Sequence, residues 1–341
     1  MPAHRLRNVK TQGSSVQLAL VALLLVGGGA CREKPANADA SLRVAEAPLA
    51  PSPRPSAKPA PSPAIKRIPA GEAVTRFAVI GDFGVQSQAA VMVSELVRAE
   101  KPDFVITTGD NNYPVGSAET IDANIGRFYH DFIHPYVGKF GPGASENRFF
   151  PSLGNHDWET PGATPYLDYF TLPGNERYYD FVRGDVHFFV VDSDAREPDG
   201  VDVTSKQAAW LEGALRASKA AWQVVTMHHP PYSSGSHGSS VRLRWPYAKW
   251  GADLVLAGHD HHYERLAVDG IVYVVNGLGG NQTYDIGPAI TGSIIRYRSR
   301  HGAQFVEASK SALVSRFSNI DRQTIDEFSL EASPTSKSTS K

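Results

Sequence analysis

The stretch "LVLAGHDHHYERL" at residues 254–266 places His259, His261 and His262 within four positions of a chain that has 12 histidines in all. An apolar run of Val and Leu closing on Gly reads as a buried strand, and residues just past such a strand sit where open α/β sheets bind ligands. His259 and His261 stand two apart, on one face of an extended backbone. Neighbouring imidazoles are good metal ligands, because one neutral nitrogen coordinates while the other is fixed by an acceptor behind it. A polar loop that happens to be rich in His is the alternative at this point, since one such cluster supplies too few ligands to close a site.

Four other apolar runs end in the same way. "RFAVIGDFG" (76–84) closes on Gly81 and Asp82, "DFVITTGDNNY" (103–113) on Gly109 and Asp110, "RFFPSLGNHDWE" (148–159) on Gly154, Asn155, His156 and Asp157, and "WQVVTMHHPPY" (222–232) on His228 and His229. A single Gly-Asp after a strand is as readily a helix N-cap or an Asx turn. Five such ends in one chain point instead to a shared site, and the glycines let backbone approach a ligand closely. The candidate donors are the oxygens of Asp82, Asp110 and Asn155, the imidazoles of His228, His259 and His261, and the phenol of Tyr113. That set exceeds what one zinc takes and suffices for two cations sharing a carboxylate.

The elements that must position these residues are strands alternating with helical stretches such as "QSQAAVMVSELVRAE", which predicts an α/β architecture with function gathered at one sheet edge. The chain has 341 residues, 41% hydrophobic and 20% charged, with a formal net charge of -1. It can bury a sizeable core, and it lacks the bulk charge that would draw nucleic acid or an acidic membrane. Residues 1–31 read as a signal peptide: His4, Arg5, Arg7 and Lys10 precede an apolar stretch, Val16 to Val26, too short to span a bilayer. Cys31 is the only cysteine. It follows Gly29 and Ala30 as the lipidated cysteine of a bacterial lipoprotein does, although Gly28 stands where such signals usually carry Leu; cleavage after Ala30 without lipidation is the alternative. Residues 32–73, rich in Pro, Ala and Ser, read as a disordered tether, and the end of the 311–341 extension as a disordered tail. The catalytic domain is expected over 74–310.

The ordered set Asp82-x-Gly84, Gly109-Asp110-x-x-Tyr113, Gly154-Asn155-His156, Val225-x-x-His228 and Gly258-His259-x-His261 resembles the purple acid phosphatases of the calcineurin-like metallophosphoesterase superfamily. The resemblance covers roughly residues 74–300, and Tyr113 is what separates this branch from others. It implies the short, single-domain type and a four-layer α/β/β/α sandwich, with the site at the C-terminal edge of the strands. It implies one metal held by Asp82, Asp110, Tyr113 and His261 and a second by Asp110, Asn155, His228 and His259, with Asp110 bridging. His156, and more weakly His237 in the polar loop "SSGSHGSS", match substrate-facing histidines. A phenolate donor favours Fe(III) in the first site, with Fe(II), Zn(II) or Mn(II) in the second. Two cations about 3.5–4 Å apart clamp a phosphoryl group and generate hydroxide near neutral pH, so the implied activity is hydrolysis of small phosphate monoesters. A phosphodiesterase or nucleotidase on the same site is the alternative, and a non-catalytic phosphate or metal binder a more distant one. Glu264 and Arg265 read as a structural ion pair or as support behind the metal ligands. Trp158, Tyr232 and Trp245 read as substrate-stacking or packing aromatics, and the glycines of "NGLGG" (276–280) as pocket rim or tight turn.

Overall fold

Short runs rich in Val, Ile, Leu and Phe, buried on both faces, make the sheets of this protein. The computed structural model describes residues 65–332; Cys31, the leader and the end of the tail lie outside the described residues. The strands are β1 (Thr75–Ile80), β2 (Phe104–Thr107), β3 (Phe149–Phe150), β4 (Tyr179–Arg183), β5 (Val186–Val190), β6 (Trp222–Thr226) and β7 (Leu254–Ala257). They continue with β8 (Tyr263–Val268), β9 (Ile271–Asn276), β10 (Ser293–Tyr297), β11 (Gly302–Ala308), β12 (Ala312–Asn319) and β13 (Thr324–Glu331). One sheet has the order β13-β12-β11-β1-β2-β3 and the other β10-β8-β9-β7-β6-β5-β4. Strands β1, β2 and β3 run parallel in the first, and β5, β6, β7 and β9 run parallel in the second.

Alternation along the central strands builds the layers. Phe188, Val224, Leu254, Leu256 and Val274 join Phe77, Val79 and Phe104 in the core between the sheets, where the Phe77 and Phe188 rings meet edge to face at 5.0 Å. Their neighbours Phe189, Val225, Val255 and Val275 point the other way and pack with Ala208, Leu211 and Leu215, the apolar stripe of the helix Lys206–Ala217. On the outer side of the first sheet lies the helix Gln88–Glu100, N-capped by Ser87, whose hydroxyl accepts from the Ala90 N–H, and burying Ala90, Val93, Leu96 and Val97. The result is the expected four-layer α/β/β/α sandwich. Among the described residues no helix is long and apolar enough to cross a membrane.

The expected boundary at residue 310 falls inside this fold. Strands β12 and β13 pair antiparallel with each other, and β12 with β11, so residues 312–331 complete the first sheet rather than extend from it. The chain just before β1 runs beside β13: the Lys66 N–H donates to Ser329 Oγ at 2.9 Å and Arg67 pairs with Glu327 at 2.6 Å.

Candidate metal centre

The polar residues after β1, β2, β3, β6 and β7 meet because parallel neighbours end at the same edge of their sheets. Three of them, Asp82 (φ 56°), Asp110 (φ 51°) and His259 (φ 71°), have left-handed backbone that non-glycine residues adopt only at a cost of about 1 kcal/mol or more. The surroundings hold them there. The Asp82 N–H donates to Gly109 O at 3.1 Å and the Gly84 N–H to Asp110 O at 3.3 Å. The His259 N–H donates to Asp82 Oδ2 at 2.9 Å, and the His156 N–H to Asp110 Oδ1 at 2.9 Å. Gly109, with φ +91°, leaves room for the His228 ring, which a Cβ there would meet at 2.6 Å. A Cβ on Gly154 would collide with the Asp110 carboxylate.

Asp110 Oδ2 lies between two groups of donor atoms. On one side Tyr113 Oη is 2.8 Å from it, 3.3 Å from Asp82 Oδ1 and 3.2 Å from His261 Nε2. On the other, His228 Nε2 is 3.4 Å from Asp110 Oδ2, 3.0 Å from Asn155 Oδ1 and 3.2 Å from His259 Nδ1. The far nitrogens are spoken for: His228 Nδ1 donates to Thr108 O at 2.8 Å and His261 Nδ1 to Gln282 O. All seven expected ligands therefore stand in one cluster, in two sets that share a carboxylate oxygen. Asp82, Asp110 and His228 by themselves form a buried group spaced to hold an ion.

The electrostatics fit cations. Burial alone would raise the Asp110 carboxyl, but His228 and His156 hold it well below the ordinary carboxylate range. Burial opposes charge on His228, yet Asp110 and Asp82 push it up to about 10. His261, also buried, is raised by Asp82. The Tyr113 phenol is pushed well above 10 by burial and by the Asp110 and Asp82 charges. His259 goes the other way, depressed by burial and by His228 and His229. Buried carboxylates surrounded by nitrogen and oxygen donors suit bound cations, which would replace the protons on His228 and His261.

His156 and His237 flank the cluster. The His156 ring lies 4.3 Å from that of Tyr113, and its Nδ1 donates to Pro114 O at 2.6 Å, which leaves Nε2 free. The His237 ring lies 4.3 Å from that of His259. Its loop is anchored by buried acids: the His237 N–H donates to Asp260 Oδ1 at 2.9 Å, Ser233 Oγ to Asp260 Oδ2 at 2.5 Å, and the Ser234 N–H and Oγ to Glu264 at 2.7 Å each.

Several readings of the sequence change here. Glu264 and Arg265 do not pair with each other: adjacent strand residues point to opposite faces, so Glu264 braces the His237 loop while Arg265 forms a two-pronged pair with Asp326 at 2.7 and 3.0 Å. Trp158 is buried with its indole N–H on Asp192, Trp245 packs in the outer core, and Tyr232 sits against Tyr273 and Arg244, so all three are packing residues. Within "NGLGG", the Gly279 N–H donates to Gly81 O at 2.9 Å, a turn closed against β1. A further aromatic at the site is Tyr284, stacked on His261 at 4.0 Å, which nothing in its local sequence announced. Arg196 was also missed. It forks onto Asp194 at 2.7 and 3.0 Å and donates to the Asn155 carbonyl at 2.9 Å, bracing the loop that carries Asn155. His229, visible only as half of a His-His pair, lies with its ring 4.4 Å from that of His259.

The sequence profile of the calcineurin-like phosphoesterase family matches residues 75–263. Purple acid phosphatase 23 of Arabidopsis thaliana is 29% identical over 245 residues, 60% of this chain and 52% of that protein. Tartrate-resistant acid phosphatase type 5 of Rattus norvegicus is 26% identical over 257 residues, 64% of this chain and 76% of that protein. The purple acid phosphatase PPD1 from yellow lupin (Lupinus luteus) seeds superimposes with a TM-score of 0.62 at 20% identity, over 80% of this chain and 58% of that one, a likeness of fold. The chain thus spans about half the length of the Arabidopsis relative.

Proposed function

Because this chain belongs to the calcineurin-like phosphoesterase family, we propose that it hydrolyses small phosphate monoesters at a centre of two cations, as an acid phosphatase does. The observation that carries the reading is the Asp110 oxygen shared by two donor sets, 2.8 Å from Tyr113 Oη and 3.4 Å from His228 Nε2. One cation is held by Asp82, Asp110, Tyr113 and His261, the other by Asp110, Asn155, His228 and His259. The phenolate of Tyr113 suits Fe(III) in the first place, with Fe(II), Zn(II) or Mn(II) in the second. When bound, two such cations supply positive charge to the phosphoryl oxygens and lower the pKa of water. The chain's own residues do the rest. The Asp110 carboxylate, its Oδ1 fixed by the His156 N–H, keeps the two sets in register. His156, with Nδ1 tied to Pro114 O, presents Nε2 to a phosphate oxygen or to the leaving oxygen, where it exchanges a proton. His237, held through Asp260 with its ring 4.3 Å from that of His259, contacts the same oxygens. Such proton transfer contributes about 10² to 10⁴-fold.

Turnover of p-nitrophenyl phosphate and bis(p-nitrophenyl) phosphate by metal-analysed protein across acid and alkaline pH tests this. Two metals per chain and monoester turnover on the acid side are expected. A preference for the diester overturns the monoester assignment in favour of a phosphodiesterase, and two bound metals without any turnover leave only a binding protein. Export by the leader and lipid anchoring at Cys31 complete the proposal, on the sequence pattern alone. Cys31→Ser is expected to abolish membrane fractionation, and unchanged fractionation refutes the anchor.

A further inference from the structure

Ser193, buried just past β5, determines which nitrogen of His229 carries the proton. Its Oγ lies 3.2 Å from the His228 N–H, 2.8 Å from the His229 N–H and 3.0 Å from His229 Nδ1. The two backbone groups can only donate, and a hydroxyl has two lone pairs and one proton. The N–H groups occupy both lone pairs, so the hydroxyl proton goes to Nδ1. His229 Nδ1 is therefore an acceptor, and the ring proton sits on Nε2. His228 and His261 are wired in the opposite sense, because Thr108 O and Gln282 O can only accept and so keep the proton on Nδ1. His229 thus keeps its ring proton on Nε2, whereas His228 and His261 keep Nδ1 protonated and reserve Nε2 for coordination.

One ring nitrogen of His229 lies within 4.8 Å of ring nitrogens of His228 and His259, a spacing that would suit a cation. The tautomer set by Ser193 speaks against that use, because with Nδ1 accepting from the Ser193 hydroxyl coordination through Nε2 would need the ring to lose its one proton and become an imidazolate. The ring packs 4.9 Å from that of His228 and 4.4 Å from that of His259, beside the two imidazoles expected at the second cation. We propose that His229 Nε2–H donates a hydrogen bond to a phosphate oxygen of the substrate, making His229 a further phosphate-binding residue beside His156 and His237. The proposal rests on the phosphoester reading of the site, and the chemistry it recognises is a tetrahedral oxyanion.

The test is binding of inorganic phosphate to the metal-loaded protein by calorimetry, with metal content measured on every variant. His229→Leu is expected to keep both metals and to weaken phosphate binding about ten- to a hundredfold, the range for a hydrogen bond to a charged group. His229→Gln, whose amide N–H reaches the position of Nε2, recovers most of that loss. Should His229→Leu fail to fold, Ser193→Ala keeps the imidazole but frees its tautomer, and is expected to weaken phosphate severalfold. Loss of a metal ion in His229→Leu overturns the proposal, because the residue is then a ligand. Phosphate affinity unchanged in the folded variants overturns it equally. Because phosphate binding is read without turnover, wild-type protein that binds metals and phosphate but hydrolyses no monoester defeats the functional reading and leaves the His229 contact standing.

Discussion

Loading the second cation site should expel a proton from His228. In the metal-free protein the buried imidazole is paired with Asp110 at 3.4 Å and is pushed up to about 10, so at pH 7 its Nε2 is protonated and cannot coordinate. Removing that proton at pH 7 costs roughly three pH units at 1.36 kcal/mol each, about 4 kcal/mol, or about a thousandfold in apparent affinity relative to pH 10. Between pH 6 and 8 the apparent affinity should climb about tenfold per pH unit. The assay is calorimetric titration of metal-free protein with Zn(II) in buffers of different ionisation heat, where the dependence on buffer gives the protons released. At least one is expected at pH 7, with a further contribution from His261, which Asp82 raises against the effect of burial. In Asp110→Asn the burial of His228 is no longer opposed by its nearest carboxylate, so the release should shrink along with the affinity. Heats that do not depend on the buffer, with affinity flat from pH 6 to 8, would refute the pairing of His228 with Asp110.

Tyr113→Phe should fold, since it removes one hydroxyl from a buried ring, but iron-loaded, oxidised protein should lose any visible phenolate-to-iron band; a band that survives the substitution eliminates Tyr113 as a ligand. Gly154→Ala should strip metal without touching a ligand, because the new Cβ collides with the Asp110 carboxylate; normal metal content by elemental analysis contradicts this packing. Glu264 is buried, which would raise it, yet hydrogen bonds from His262, Ser234 and Ser293 hold its carboxyl below 4.5. A depressed carboxyl stabilises the fold above its unfolded pKa, and that stability disappears as pH falls through the folded value. Melting temperature should therefore fall steeply below pH 4.5 in the wild type and less steeply in Glu264→Gln, and parallel curves would exclude the effect.

How much of the site could be read along the chain follows from the range of the interactions that make it. Each strand run carries its own signal, and a Gly followed by Asp, Asn or His at its end marks where a sheet edge presents polar groups, so Asp82, Asp110, Asn155, His228, His259 and His261 could be picked out before any fold was known. Their union needed no long-range knowledge beyond the rule that parallel strands end together. What the tertiary structure alone decided is everything fixed by partners far away in sequence. Arg265 finds Asp326 across 61 residues, where the neighbouring Glu264 was the tempting partner. Strands β12 and β13 read as an extension because their pairing with β11 is set by register across the sheet. The loop of His237, otherwise all Ser and Gly, shows no anchor in its own sequence and is held by Asp260 and Glu264 from 23 and 30 residues on. The role of His229 depends on a serine 36 residues before it, because a tautomer is chosen by whichever group the folded chain brings to the other nitrogen. Local propensity and periodicity determine where side chains of a given chemistry are presented; which atom donates and which accepts is determined only when distant segments pack.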